Sequence, residues 1–255
     1  MGVYLVALLL CSLTTYLLYR YIRCNSGNSF FDGKHVLITG GSSGIGLSLA
    51  ILARRSGANI TLIARNRERL KLARETLAST STTRSDAWVE VRSMDLTSSY
   101  ASPVDVLIHS AGFCFSREFR EMPIDEIASM NHTNYLGPVH LTHILLPSML
   151  SMFSPQQNRL SHPARERRIA FISSMGGQVA IAGLTAYSAT KYAIRGFADA
   201  LRMELDMTGP LVTTSFPPDT DTPGFAFINY DPRAFMTYSH SVGSFVYRVT
   251  YMPPR

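Results

Sequence analysis

The chain is poor in cysteine and lysine, and it shows no internal repeat and no low-complexity tract. Its three cysteines, Cys11, Cys24 and Cys114, are odd in number and lack metal-ligand spacing, which argues against a disulfide framework and a cysteine metal site. A reducing compartment fits that usage. The net charge is +6 and the sequence pI ≈ 9.4. The excess comes from scattered arginines, with no basic face interleaved with aromatics and no nucleic-acid motif, so no nucleic-acid partner is expected. Attraction to anionic lipid or to a phosphorylated cofactor explains the sign more simply. Lysine occurs only at Lys34, Lys71 and Lys191.

Charge is also missing from residues 1–19. The apolar run from Val3 to Tyr19, extended to Ile22, gives twenty residues, about the ~30 Å a helix needs to cross a bilayer. A cleaved signal peptide would want a basic n-region and a small-x-small site before Asn25-Ser26-Gly27-Asn28, and neither is there. Arg20 and Arg23 on the C-terminal flank favour an uncleaved anchor over residues 1–22 with the remainder on the cytosolic side, and Tyr16, Tyr19 and Tyr21 suit an interfacial belt. The rest of the 255 residues, 46% hydrophobic over the whole chain, suits one α/β domain with a sizeable core.

That domain begins at Lys34. The run His35-Val36-Leu37-Ile38 leads into Thr39-Gly40-Gly41-Ser42-Ser43-Gly44-Ile45-Gly46 and then Leu47 to Ala53, which reads as strand, glycine-rich turn and helix. Glycines let the backbone turn tightly and approach a pyrophosphate seated on the helix N-terminus. Further strands are predicted at Asn59–Ala64, Val89–Met94, Val104–His109, Ile169–Ile172 and Leu211–Phe216, with helices at Ile124–Asn134 and Thr185–Asp206. The last helix carries Tyr187 and Lys191 at i and i+4, on one face. An ammonium there would favour the phenolate and draw the tyrosine pKa down from its ordinary ~10. Ser174 lies thirteen residues before the tyrosine, at the end of a strand, with Ser173 adjacent.

Together these residues resemble the short-chain dehydrogenase/reductase superfamily. The resemblance implies a Rossmann-like doubly wound parallel sheet over residues 34–226, an N-terminal transmembrane helix, and a divergent tail at 227–255. It implies that Tyr187 donates a proton and Ser174 holds the substrate oxygen. Lys191 would lower the tyrosine pKa and contact the nicotinamide ribose, while Asn134, in Asn134-Tyr135-Leu136-Gly137, would help relay protons through water. Implied cofactor contacts are Gly40, Ser42, Ser43, Gly44, Ile45, Gly46, Asp95 beside the adenine, Ala111 and Gly112 of His109-Ser110-Ala111-Gly112, Tyr187, Lys191 and Pro217. The second strand ends at Arg65, where an acidic residue would hold a ribose hydroxyl. An arginine there accommodates a 2′-phosphate, with Arg69 one turn later, and so argues for NADPH. His109 reads as a structural substitution rather than a catalyst.

One feature departs from that pattern. Only Leu96 to Pro103 separate Asp95 from the fourth strand, whereas a parallel crossover normally takes a dozen or more residues. Passing two strands and returning one strand length is a straight line of about 22 Å, and eight extended residues reach about 28 Å. A family crossover helix between the third and fourth strands is therefore expected to be missing, through a splice form or a faulty gene model, leaving a sheet face open. Within the superfamily, Pro217-Pro218-Asp219-Thr220-Asp221-Thr222-Pro223-Gly224 resembles the 3-ketosphinganine reductases. That implies a long-chain sphingoid-base ketone as substrate, membrane lipid as partner, and the endoplasmic reticulum membrane with a cytosolic catalytic domain. A homo-oligomer stays open, as do an anchored dehydrogenase of retinoids or steroids and a truncated non-catalytic chain.

Overall fold

The computed structural model describes residues 30–93, 103–151, 167–205 and 209–223. The expected anchor, Asp95 with the rest of 94–102, most of the polar loop before the fifth strand, and the tail lie outside the described residues. Among the described residues, no helix is long and apolar enough to cross a membrane.

Among the described residues, six strands form one parallel sheet: β1 (His35–Thr39), β2 (Asn59–Ala64), β3 (Val89–Ser93), β4 (Val106–His109), β5 (Arg168–Ile172) and β6 (Leu211–Ser215). Their order, β3-β2-β1-β4-β5-β6, is that of the doubly wound sheet expected. The helices are α1 (Gly44–Arg55), α2 (Arg67–Ser79), α3 (Ile124–Asn131), α4 (Gly137–Ser151) and α5 (Thr185–Leu205). The inner strands are apolar almost throughout because both faces are covered. Val36, Ile38, Ile60, Leu62 and Ile108 pack on Ala50 and Ala53 of α1 and Leu70, Ala73 and Leu77 of α2. Leu37, Ile63, Leu107, Ile169 and Phe171 pack on Leu141, Leu145 and Met149 of α4 and Ile194, Ala198 and Leu201 of α5. Helix α2 starts where the Asn66 side chain accepts the Arg69 N–H at 2.8 Å, an N-cap.

The helix predicted to end at Asn134 instead runs on. A π-helical turn, His132–Leu136, joins α3 to α4, and Asn134 is buried within it. Such turns recur at functional sites.

The open sheet face expected beside the short connection is not found where β1 and β2 would show it. Leu37, Thr61 and Ile63 are 0%, 0% and 1% exposed. The returning end of the connection is stitched to β1 by polar contacts. The His35 N–H donates to the Asp105 carboxylate at 2.9 Å, the Asp105 N–H donates to the His35 carbonyl at 3.0 Å, and the His35 ring bonds the Pro103 carbonyl and the Thr61 hydroxyl. The missing helix itself concerns residues that lie outside the described ones.

Two glycines test the backbone in opposite directions. Gly40 has φ +67°, and a Cβ there would stand 2.7 Å from the Ala111 Cα. Gly196 lies inside α5 with nothing within 4 Å of an added Cβ. Gly40→Ala is expected to lower unfolding stability by about 1–3 kcal/mol. Gly196→Ala should raise it by about 0.5–1 kcal/mol. Urea melts of both variants check this; equal effects would show that the turn is not held as described.

Candidate active site

The C-terminal ends of β1, β2, β4, β5 and β6 open onto a single cavity of about 640 Å³. One wall is the turn after β1, with Gly40, Ser42, Ser43, Gly44, Ile45 and Gly46 all lining it. Gly46 must be glycine because a Cβ would meet the Gly40 carbonyl oxygen at 2.5 Å. Ser43 caps α1 in an extended conformation, its side chain accepts no cap hydrogen bond, and the first turn has no acidic residue. The helix thus presents its positive end to the cavity without a local counter-anion. Arg65 and Arg69 line the same side, and the Arg65 guanidinium lies 5.8 Å from the centre of the Phe113 ring. Glycine-permitted backbone, a helix N-terminus and two guanidinium groups form a donor set that fits the phosphates of a dinucleotide.

At the other end, α5 brings Tyr187 and Lys191 to the cavity one helical turn apart, facing Ser174 beyond β5. The two candidate serines separate here. Ser173 is buried and donates its hydroxyl to the Lys191 carbonyl at 3.2 Å, whereas the Ser174 oxygen accepts the Gly176 N–H at 3.1 Å and reaches the Tyr187 hydroxyl. Lys191 is 5% exposed and donates to the Ile172 carbonyl at 3.0 Å. Its ammonium lies 5.6 Å from the centre of the Tyr187 ring.

The expected depression of the tyrosine pKa is not what this geometry gives. Burial pushes the Tyr187 phenol up to about 12, against a downward pull from the Ser174 hydroxyl and with upward pushes from Cys114 and Asp219. Burial likewise pulls the Lys191 ammonium down to about 8. Desolvation is the largest influence on both groups and disfavours both charged forms.

Asn134 does not line the cavity; it braces it. Its side-chain oxygen accepts the Phe113 N–H at 3.0 Å, while its amide nitrogen donates to the Phe113 carbonyl at 2.9 Å and to the Thr190 hydroxyl at 3.1 Å. Thr190 in turn donates to the Tyr187 carbonyl at 2.7 Å. Ala111, Gly112 and Pro217 line the cavity as expected, and Asp95 lies outside the described residues. His109 sits in the core, stacked on Phe171 and bonded to Thr142 at 2.9 Å, and burial lowers its pKa to about 3. It is a neutral structural residue.

A family model described as short chain dehydrogenase matches residues 34–232. The chain belongs to the short chain dehydrogenase family. It is 36% identical over 208 residues to the 3-dehydrosphinganine reductase of Danio rerio, covering 76% of this chain and 59% of that protein. Against the 3-ketodihydrosphingosine reductase of Mus musculus it is 37% identical over 207 residues, covering 76% and 58%. The chain therefore spans less than two thirds of the length of these relatives. The solved structure of an actinorhodin polyketide ketoreductase with NADPH is 26% identical and superposes with a TM-score of 0.65, covering 84% of this chain and 79% of that one.

Several residues at this short-chain dehydrogenase cavity were not singled out from sequence: Phe113, Cys114, Met175, Ile181, Leu184 and Asp219. Phe113 and Cys114 directly follow Ala111-Gly112, and Asp219 falls in the distinctive run after β6, so their places were signalled but their side-chain directions were not. Burial raises the Cys114 thiol to about 12, which keeps it protonated.

The Lys191 shift yields a stability test. Its folded value, about 8, lies below the ordinary 10.5, so the unfolded chain holds the proton more tightly and stability rises with pH between those values. At pH 7 the buried charge is destabilising. Lys191→Met should therefore raise the melting temperature at pH 7 by about 2–4 °C for each kcal/mol relieved, with the gain shrinking by pH 10. A variant that melts below wild type at pH 7 would contradict the burial.

Proposed function

We propose that this chain reduces a long-chain 3-ketosphinganine to sphinganine with NADPH; its relatives from Danio rerio and Mus musculus are named as reductases of that ketone. The observation that carries this reading is the single cavity whose one end gathers Ser174, Tyr187 and Lys191 and whose other end gathers Arg65 and Arg69 beside a helix N-terminus. When bound, the nicotinamide supplies the hydride that reaches the carbonyl carbon. The remaining work falls to the chain. Arg65 and Arg69 take the 2′-phosphate, the first turn of α1 takes the pyrophosphate, and Ala111-Gly112 allow close approach of backbone.

Ser174 donates to the carbonyl oxygen and supports the negative charge that grows there. Tyr187, a neutral phenol at pH 7, then gives its proton to that oxygen. Lys191 supplies a positive charge within reach of the phenolate left behind. Asn134 keeps Phe113 and, through Thr190, the first turn of α5 in register. Anchoring by residues 1–22 at the endoplasmic reticulum membrane, with the catalytic domain in the cytosol, would bring the cavity to a substrate that partitions into lipid.

The alternative outcome is a chain that keeps cofactor affinity and turns over no ketone. Turnover of 3-ketosphinganine with NADPH decides between them. On the first reading Tyr187→Phe lowers kcat by about 10²–10⁴-fold while NADPH still binds. Arg65→Ala raises the KM for NADPH by about tenfold or more and spares that for NADH. Wild-type protein that binds NADPH and turns over no ketone would establish the non-catalytic reading instead.

A further inference from the structure

The reacting end of the cavity has two unlike walls. Toward the loop after β6 stand Pro217, Pro218, Asp219, Thr220 and Thr222, which bring hydroxyls and a carboxylate. Toward the turn between β5 and α5 stand Met175, Ile181 and Leu184, and the loop after β4 adds Phe113 and Cys114. Much of this second wall's backbone is already bonded within the protein. Asn134 takes both the N–H and the carbonyl of Phe113, the Leu184 N–H donates to the Ile181 carbonyl at 3.1 Å, and the Met175 N–H donates to the Pro217 carbonyl at 3.1 Å. The Gly183 carbonyl accepts the Arg117 N–H at 3.0 Å, which joins the two loops that carry the wall. Glycine permits the turn there, at φ +80°. What this wall presents to a ligand is mostly carbon.

Behind the wall the apolar packing continues. Phe113 and Tyr187 pack on a small cluster of Met122, Met130 and Ala186, joined by Phe115 and Ile127. The Phe113 and Phe115 rings meet edge to face with centres 5.3 Å apart. Thioethers and rings make an adaptable backing for a chain of variable shape. We propose that this wall holds the hydrocarbon chain next to the carbonyl, and that Ile181 is a specificity-determining residue for the length of that chain. The inference rests on the ketone-reductase reading above and deepens it. A hydrocarbon offers no donor or acceptor, so it is recognised by the area it removes from water, methylene by methylene. Ile181 is half-buried and keeps surface for such a chain to cover, whereas Leu184 is only 4% exposed.

The test uses the full chain with NADPH and soluble short-chain homologues of 3-ketosphinganine, lengthened one methylene at a time. In the wild type, kcat/KM should rise about three- to fourfold for each methylene that the wall covers. Ile181→Ser should flatten that rise while the Kd for NADPH stays at the wild-type value, and Ile181→Leu should restore it. Ile124→Ser removes an apolar side chain that is 74% exposed and outside the cavity lining, and should leave the rise unchanged. A second measurement needs no turnover. Calorimetric binding of straight-chain secondary alcohols to the NADP⁺-loaded chain should strengthen with length by a similar factor, and Ile181→Ser alone should lose that dependence. A wild type indifferent to chain length in both measurements, a rise that survives Ile181→Ser, or equal flattening by the two serine variants overturns the inference. Alcohol binding that follows chain length, in a protein that reduces none of the keto bases, overturns the substrate reading and leaves the inference standing.

Discussion

A lysine side chain sealed inside the protein is the constraint to which the rest of the site answers. Lys191 keeps 5% of its surface exposed, and burial draws its pKa to about 8, so at pH 7 the charged form is held against an adverse environment. It persists because its surroundings fix it. The Ile172 carbonyl at the end of β5 accepts from the ammonium, and the Ser173 hydroxyl pins the backbone carbonyl of the same residue. A chain of hydrogen bonds from Phe113 through Asn134 and Thr190 to the Tyr187 carbonyl locks the first turn of α5 to the loop beyond β4. The ends of β4 and β5 and the π-helical turn are thereby coupled to α5 through one buried corner.

Much of this was legible in the residues, for identifiable reasons. The second strand was read at Asn59–Ala64 and is found there, because an apolar run bounded by turn residues has few other uses. The helix bearing Tyr187 and Lys191, expected over Thr185–Asp206, spans Thr185–Leu205. The glycine-rich turn was legible because only glycine tolerates the φ of Gly40 and the approach of Gly46 to the Gly40 carbonyl.

Other features depend on partners distant in sequence, and local pattern could not carry them. The π-helical turn at His132–Leu136 adds a residue to a helix without altering its composition. Asn134 was assigned to the site, yet its task as a brace depends on Phe113 and Thr190, twenty-one and fifty-six residues away. The direction of the Tyr187 shift is not readable from spacing, which reports which groups are neighbours, while burial decides whether either can hold a charge. The stitching of His35 to Pro103, Thr61 and Asp105 has no local signature, because the return of a shortened connection can be argued from sequence in length but not in contacts.

The raised phenol bears on the direction of the proposed chemistry. A group whose pKa is about 12 is protonated at pH 7 and ready to give a proton, whereas oxidation of an alcohol would need the phenolate to accept one. An alkoxide is a stronger base than that phenolate, so proton transfer from Tyr187 to the newly formed alkoxide runs downhill even with the pKa raised. Lys191, mostly charged below about 8, is then near enough to the ring to stabilise the anion left on Tyr187. Desolvation, which works against the simple picture of a lysine acidifying a tyrosine, leaves the phenol protonated at pH 7. At pH 7 the donor is loaded, and Lys191, although burial lowers it to about 8, is still mostly charged.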